Sequence, residues 1–402
     1  QGAPAGVSDL KAAIRYIRYN DGVIPGDVDR VFSFGMSGGG AQSALLGATG
    51  DSEDYEPYLT AIGAVSGVSD AVTGSMCWCP ITELDYADEA YEWNLGNTRT
   101  GLTEQEQTLS NGMAEAFAQY INDLGLKDSS GNVLTLTESE EGIYQSGTYY
   151  EYLKGVVETS LNNFLEDTTF PYTVETKKGR QGGGRGQGGQ KPDGTLGQGD
   201  PDFYAMDGVD RNLSTGGVTL SGTYETAQDY IDALNADGTW INYDSAANTA
   251  TITSIADFTN ACKRASKGIG AFDALDESQA ENTLFGYGDG TTSHFDATLA
   301  DLLKNDETYG AAFTEAMEKT DPEGKTVTER GNMYNPLYYL SGYYGGYQKS
   351  TVADYWRIRT GIAQSDTSLT TEVNLALALK NYGVDVDFAT IWGEGHTMAE
   401  ST

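Results

Sequence analysis

Arg30-Val-Phe-Ser-Phe34 runs into Gly35-Met36-Ser37-Gly38-Gly39-Gly40 and then Ala41-Gln42-Ser43-Ala44-Leu45-Leu46, and the fold turns on this stretch. The apolar residues before Gly35 predict a short strand, and the Ala- and Leu-rich run after Gly40 predicts a helix. Between them, Gly35-x-Ser37-x-Gly39 has the form of a nucleophile elbow, a strained strand-to-helix turn tight enough to need glycine two residues either side of the serine. In a chain with 51 glycines a bare match would be an ordinary turn, so the flanking strand and helix patterns are what favour a nucleophile. The Gly38 N–H follows the serine and is one candidate donor to an oxyanion, a contribution of about 3 kcal/mol at the transition state.

Working outward, Leu10, Ala13, Ile14 and Ile17 recur at helical spacing after Ser8 and Asp9, which can cap the helix start, and Gly26-Asp27 closes the connection. A second, buried strand is predicted from Ala71 to Cys79, ending at Pro80. Beyond it the pattern changes, with acidic helical stretches at Leu102 to Leu124 and Tyr150 to Leu165 alternating with Gly- and Thr-rich segments. From 335 onward strand and helix alternate again: a strand at Tyr355 to Arg359, a helix at Thr370 to Asn381 and a strand at Val384 to Trp392. Strands separated by helices of this length predict an α/β fold with a mostly parallel sheet and its site at the strand ends. The expected organisation is a core in two parts, 1–82 and 335–402, around an inserted domain at 83–334. Within the insertion, residues 177–200 are rich in Gly, Gln, Arg and Lys, hold five of the chain's 24 cations, and predict a mobile loop or a contact to an acidic surface.

Composition narrows the partners. Among the 402 residues, 24 Lys and Arg against 59 Asp and Glu give 24 − 59 = −35, which repels a phosphate backbone or an anionic membrane and leaves small neutral ligands open. No run approaches the roughly 20 apolar residues that cross a bilayer. Cys77, Cys79 and Cys262 read as small buried residues, since with two His in the chain a Cys/His zinc site is poorly supplied.

A serine nucleophile needs a base, and the choice lies between His294 and His396. His396 follows the last predicted strand in Trp392-Gly-Glu-Gly-His396, the place and chain order of the histidine in an alpha/beta hydrolase. His294, in Thr292-Ser-His-Phe295, reads as a substrate-pocket or structural residue.

These residues resemble the bacterial tannases and their relatives among the feruloyl esterases, serine esterases with an alpha/beta-hydrolase core and a large inserted lid. The resemblance runs over Asp9 to Leu46, Cys79-Pro-Ile-Thr82, Ala271-Phe-Asp-Ala-Leu-Asp276, Glu281-Asn-x-Leu-Phe-Gly286 and Trp356 to His396. It implies cleavage of galloyl esters, with the three phenolic hydroxyls gripped by Lys267 and Glu281 from the lid and Asp366 from the core. It implies no metal or organic cofactor and a small phenolic ester as partner. Hydroxycinnamoyl esters such as ferulate or chlorogenate, or non-catalytic binding of a phenolic or glycan, are the alternatives. Without the resemblance, Lys267 and Glu281, fourteen residues apart, would pass for a solvated ion pair. The scarce Lys and abundant Tyr, Gly and acid suit an exported bacterial enzyme, with a cytoplasmic one as the alternative.

Two departures from the resemblance matter. The family's catalytic acid stands three residues after the glycine ending the penultimate strand, and here that position is Gln364, which can orient an imidazole but cannot stabilise an imidazolium. Asp366 is the nearest carboxylate, ahead of Glu394 and Glu400, and its loss rather than that of Gln364 is expected to cut turnover by orders of magnitude. The fold also normally runs about four strands before the elbow, supplying a second oxyanion donor. Only about 30 residues precede Phe34 and six follow His396, so the sequence reads as the interior of a longer chain lacking the N-terminal strands, expected to expose a sheet edge and to aggregate or be inactive alone.

Overall fold

A computed structural model of the chain describes residues 2–140, 142–174, 218, 220–288 and 290–400. Residues 177–200, the expected mobile loop, lie outside them. The architecture is mixed α/β around a four-stranded sheet: β1 (Phe32–Met36), β2 (Gly74–Trp78), β3 (Tyr355–Gly361) and β4 (Asp385–Ile391) in the order β1-β2-β3-β4. All three pairings are parallel, with Phe34 opposite Met76, Cys77 opposite Ile358 and Phe388 opposite Ile358. Parallel neighbours cannot be joined by a tight turn, so each link crosses over. Helix α2 (Gly38–Ala48) lies between β1 and β2 in the chain, and a helix at Leu369–Tyr382 lies between β3 and β4. The link from β2 to β3 is the whole middle of the sequence, whose described strands form three separate two-stranded antiparallel sheets and do not join the central sheet.

Parallel register puts the four carboxyl ends on one edge. Met36, Trp78, Gly361 and Ile391 therefore deliver Ser37, Cys79, the loop with Gln364 and Asp366, and the turn before His396 to the same side.

Two expectations are corrected. Helix α1 spans Ala5–Tyr19 with Pro4 at its N-cap, so Ser8 lies inside it, its hydroxyl donating to the Pro4 carbonyl at 3.1 Å. Its packed face is also not the apolar stripe: Leu10 and Ala13 are exposed, while Lys11 and Arg15 are buried beside Val7 and Ile14. The cause is Asp70, 1% exposed, which accepts from Lys11 Nζ at 2.7 Å and from Arg15 Nε at 2.8 Å. A buried carboxylate requires paired cations, and this requirement outweighs the burial of one leucine. Strand β1 stands at the edge of the sheet, with Phe32 and Phe34 exposed.

The other elements fall close to expectation. The helix expected at Leu102 to Leu124 is Glu104–Leu124, opened by a capping box between Thr103 and Glu106. That expected at Tyr150 to Leu165 is Thr148–Asp167, and Ser160 on it donates to the Thr390 carbonyl of β4 at 2.9 Å.

Candidate active site

Ser37 adopts φ 59° and ψ −126°, a backbone state that non-glycine residues rarely take. Its N–H donates to the Trp78 carbonyl at 2.9 Å and its own carbonyl accepts from Ala41 N, so the turn is held from β2 on one side and from α2 on the other. A Cβ at Gly35 would stand 2.2 Å from the Gly39 carbonyl oxygen, and one at Gly40 would stand 2.8 Å from the Trp78 oxygen. A Cβ at Gly39 would meet nothing within 4 Å. Crowding thus demands glycine at 35 and 40 rather than at 35 and 39. Gly38, exposed at the N-terminus of α2, carries one of the unsatisfied N–H groups that make a helix start attractive to negative charge.

The segment after β4 returns over the ends of its neighbours. A Cβ at Gly361 would meet the Gly395 carbonyl oxygen at 2.1 Å, so glycine there lets the turn before His396 lie directly on the end of β3. Further on, the Cys79 thiol donates to the Thr397 carbonyl at 3.4 Å, and Trp78 Nε1 donates to Glu400 at 3.1 Å. Trp78 therefore holds the Ser37 backbone through its carbonyl and the chain beyond His396 through its indole.

His396 Nδ1 lies 3.2 Å from Asp366 Oδ2. The two are within ion-pair distance, but the ring nitrogen has no aligned hydrogen-bond partner, so the contact as it stands is one of charge more than of direction. Burial pushes the His396 pKa below its ordinary value; the Asp366 carboxylate works against this, and the Lys267 ammonium adds to it. The net effect favours the neutral imidazole, the form that accepts a proton.

Gln364, three residues after the glycine that ends β3, is engaged within its own loop and with the helix that follows. Its hydrogen bonds run to the Asp366 and Thr367 main chain and to the Thr367 and Glu372 side chains.

Lys267 and Glu281 are both half-buried, and no ion pair joins them. The Lys267 ammonium sits 3.9 Å over the Phe272 ring, while the residue's main-chain N–H donates to the Tyr91 hydroxyl at 3.3 Å and its main-chain carbonyl accepts from Arg99 at 2.7 Å. Glu281 occupies the first turn of the short helix Ala280–Leu284. Lys267 is close enough to act on the His396 charge, whereas no described contact ties Glu281 to the other candidates.

His294 is 2% exposed, with Nδ1 2.6 Å from Asp273 and its ring stacked 3.6 Å from Phe313, an arrangement that serves packing. Glu400 stands 3.5 Å from Arg357 and from Arg359, and the Glu394 carbonyl accepts from Ala363 N at 3.0 Å. Cys77, Cys79 and Cys262 are buried and in no disulfide, with the Cys77 and Cys79 thiols pushed up to about 11 by burial. Among the described residues no group of three His, Cys, Asp or Glu side chains is arranged to hold a metal, and no helix is long and apolar enough to cross a membrane.

Sequence reasoning missed Glu372, Lys263 and Trp78. The signal for Glu372 is a lone carboxylate in the first turn of an otherwise apolar helix, a position that reads as a routine helix-start charge until its burial is known.

No protein-family model matches the chain, and no curated protein sequence matches it. Solved structures do. The chain is similar to a tannin acyl hydrolase in complex with 3,4-dihydroxybenzoate, at 30% identity and a TM-score of 0.67, over 98% of this chain and 68% of that one. A tannin acyl hydrolase in complex with ethyl gallate matches at 29% identity and 0.67, over 98% and 68%. The tannase of Fusobacterium nucleatum matches at 29% identity and 0.69, over 99% and 71%.

Proposed function

This chain belongs to the tannase family, and on that premise we propose that it is a serine esterase that hydrolyses galloyl esters of plant polyphenols through an acyl-enzyme. The observation that carries the reading is the pair His396 and Asp366 on the same sheet edge as a serine held at φ 59°. His396 takes the hydroxyl proton of Ser37 as Oγ bonds to the ester carbonyl carbon. The carbonyl oxygen becomes an oxyanion, which the Gly38 N–H stabilises. Collapse breaks the ester bond, and the leaving alkoxide receives the proton from His396. Water then repeats the sequence on the acyl-Ser37 and frees the acid. Asp366 stabilises the imidazolium formed in each half.

The middle region, 83–334, acts as the lid that brings Lys267 and Glu281 to the acyl group. Carboxylates accept hydrogen bonds from phenolic hydroxyls and an ammonium donates to one, so a ring lacking those hydroxyls leaves charges unpaired and is rejected. Asp366, with 45% of its side chain exposed, keeps lone pairs free for a substrate hydroxyl beside its contact to His396. The gallate and dihydroxybenzoate complexes of the similar structures support a phenolic acyl group.

The test is labelling by a fluorophosphonate together with turnover of methyl gallate. Ser37→Ala, folded, is expected to lose both. Lys267→Met and Glu281→Gln are expected to lose gallate esters while keeping esters of unsubstituted benzoate. A folded Ser37→Ala that retains hydrolysis would end the serine reading.

A further inference from the structure

Gln364 sits at the centre of the loop that carries Asp366, and it is 3% exposed. Its amide oxygen accepts the main-chain N–H of Asp366 at 2.9 Å and that of Thr367 at 3.1 Å. Its amide nitrogen donates to Thr367 Oγ1 at 2.6 Å and to Glu372 Oε1 at 3.1 Å. The same Glu372 oxygen accepts the hydroxyls of Thr360, on β3, at 3.1 Å and of Thr367 at 3.3 Å. Glu372 is itself fully buried in the first turn of the helix Leu369–Tyr382. One carboxylate oxygen thus gathers the end of a strand, the loop and the start of a helix, with Gln364 as the link that reaches Asp366.

The amide is suited to this task. It faces main-chain donors with its oxygen and a carboxylate acceptor with its nitrogen, which no carboxylate side chain could do at neutral pH. Asp366, by contrast, is half-exposed at its side chain, so its location depends on how its backbone is held. In a dry setting such bonds do not compete with water and confine the loop closely.

We propose that Gln364 and Glu372 are positioning residues that fix the main chain at Asp366 and so hold its carboxylate at the imidazole of His396. The glutamine braces the main chain of the loop on which the carboxylate stands. Lys263, buried at the end of the helix Ile255–Cys262, is near enough for its charge to lower the Glu372 pKa against the effect of burial. This inference rests on the assignment of Asp366 as the acid that serves His396.

The experiment is a double-mutant cycle on the full chain with methyl gallate, following kcat, KM and the acid limb of the kcat/KM profile. Gln364→Met keeps the volume and removes all four bonds. It is expected to lower kcat by about 10²-fold with a smaller change in KM, as displacement of a catalytic group by about an ångström does. Its acid limb should move to lower pH in the direction of Asp366→Asn, because the carboxylate leaves the imidazole. In the Asp366→Asn background the same change should cost almost nothing further. Glu372→Gln, which still offers an oxygen to the Gln364 amide, should stay within a few-fold of the parent. Should Gln364→Met fail to fold, Gln364→Asn, one methylene too short to span both partners, takes its place. Parent-like kcat and acid limb in the glutamine variant, or a loss that multiplies in full with that of Asp366→Asn, would overturn the brace and leave the esterase reading intact. A parent-like Asp366→Asn would overturn the assignment of the acid and the brace with it.

Discussion

His396 and Asp366 stand 3.2 Å apart, nitrogen to oxygen, although 30 residues separate them and they leave the ends of different strands. The parallel pairing of β3 with β4 brings those ends side by side. Removing the charge while keeping the shape isolates its contribution. Asp366→Asn should cut kcat by orders of magnitude, about 10⁴ where an Asp to Asn change in a serine triad has been taken as the guide, with near-UV circular dichroism unchanged. Retained turnover would return the role to another carboxylate.

The acid limb of kcat/KM reports the pKa of the free-enzyme base. Burial, opposed by Asp366 and assisted by Lys267, holds His396 below its ordinary 6.5, so activity should persist below that pH and fall as the imidazole gains its proton. Lys267→Met removes a repelling charge and should move the limb to higher pH. An ester of unsubstituted benzoate is the substrate for this profile, so that loss of phenol binding does not mask it. A limb that stays in place or moves down would exclude the proposed charge interaction.

Gly35 and Gly39 make a steric contrast within one motif. A methyl group at Gly35 would press on the Gly39 carbonyl at 2.2 Å, and Gly35→Ala should lower the melting temperature and turnover together. Gly39→Ala meets open space inside a helix and should stabilise by about 0.5–1 kcal/mol through helix propensity. Thermal denaturation of the two variants in parallel is the check, and equal destabilisation would refute the stated difference.

Asp70 is the anion around which α1 packs. Asp70→Asn leaves Lys11 buried without its carboxylate and Arg15 with Glu56 alone, and should cost about 3–5 kcal/mol in urea unfolding. Leu10→Ser, on the exposed side of the same helix, should stay within about 0.5 kcal/mol.

Glu83 is buried, and burial raises its pKa to about 8 from 4.5, even though Tyr120 donates to it at 2.7 Å. The folded protein therefore holds a proton that the unfolded chain releases above its ordinary carboxylate pKa. The linked stability is fully present below about pH 4.5 and is lost as pH rises to about 8. Glu83→Gln mimics the protonated form and should flatten the decline of melting temperature between pH 5 and pH 8. An unchanged slope would place the titration elsewhere.

The alternation of short apolar strands with helices was legible in the sequence, and so was the tight strand-to-helix turn at Ser37, because strand, serine, glycine and helix succeed one another within 17 residues. Local chemistry of that kind is written in neighbouring residues. The strands and helices on either side of the middle region were legible for the same reason, since the 3.6-residue and continuous apolar periods persist along each element. The charged face of α1 was not, because Asp70, which compels it, lies 55 residues from Arg15.

Chain order alone singled out Ser37 and His396 as candidates, since the strand–serine–helix and strand–histidine patterns are patterns of sequence. Which carboxylate reaches the imidazole, and what a buried glutamine does on the same loop, depended on the ends of β2, β3 and β4 being stacked at strand spacing. Hydrogen bonds act over about 3 Å, and only the folded sheet sets which side chains stand that close.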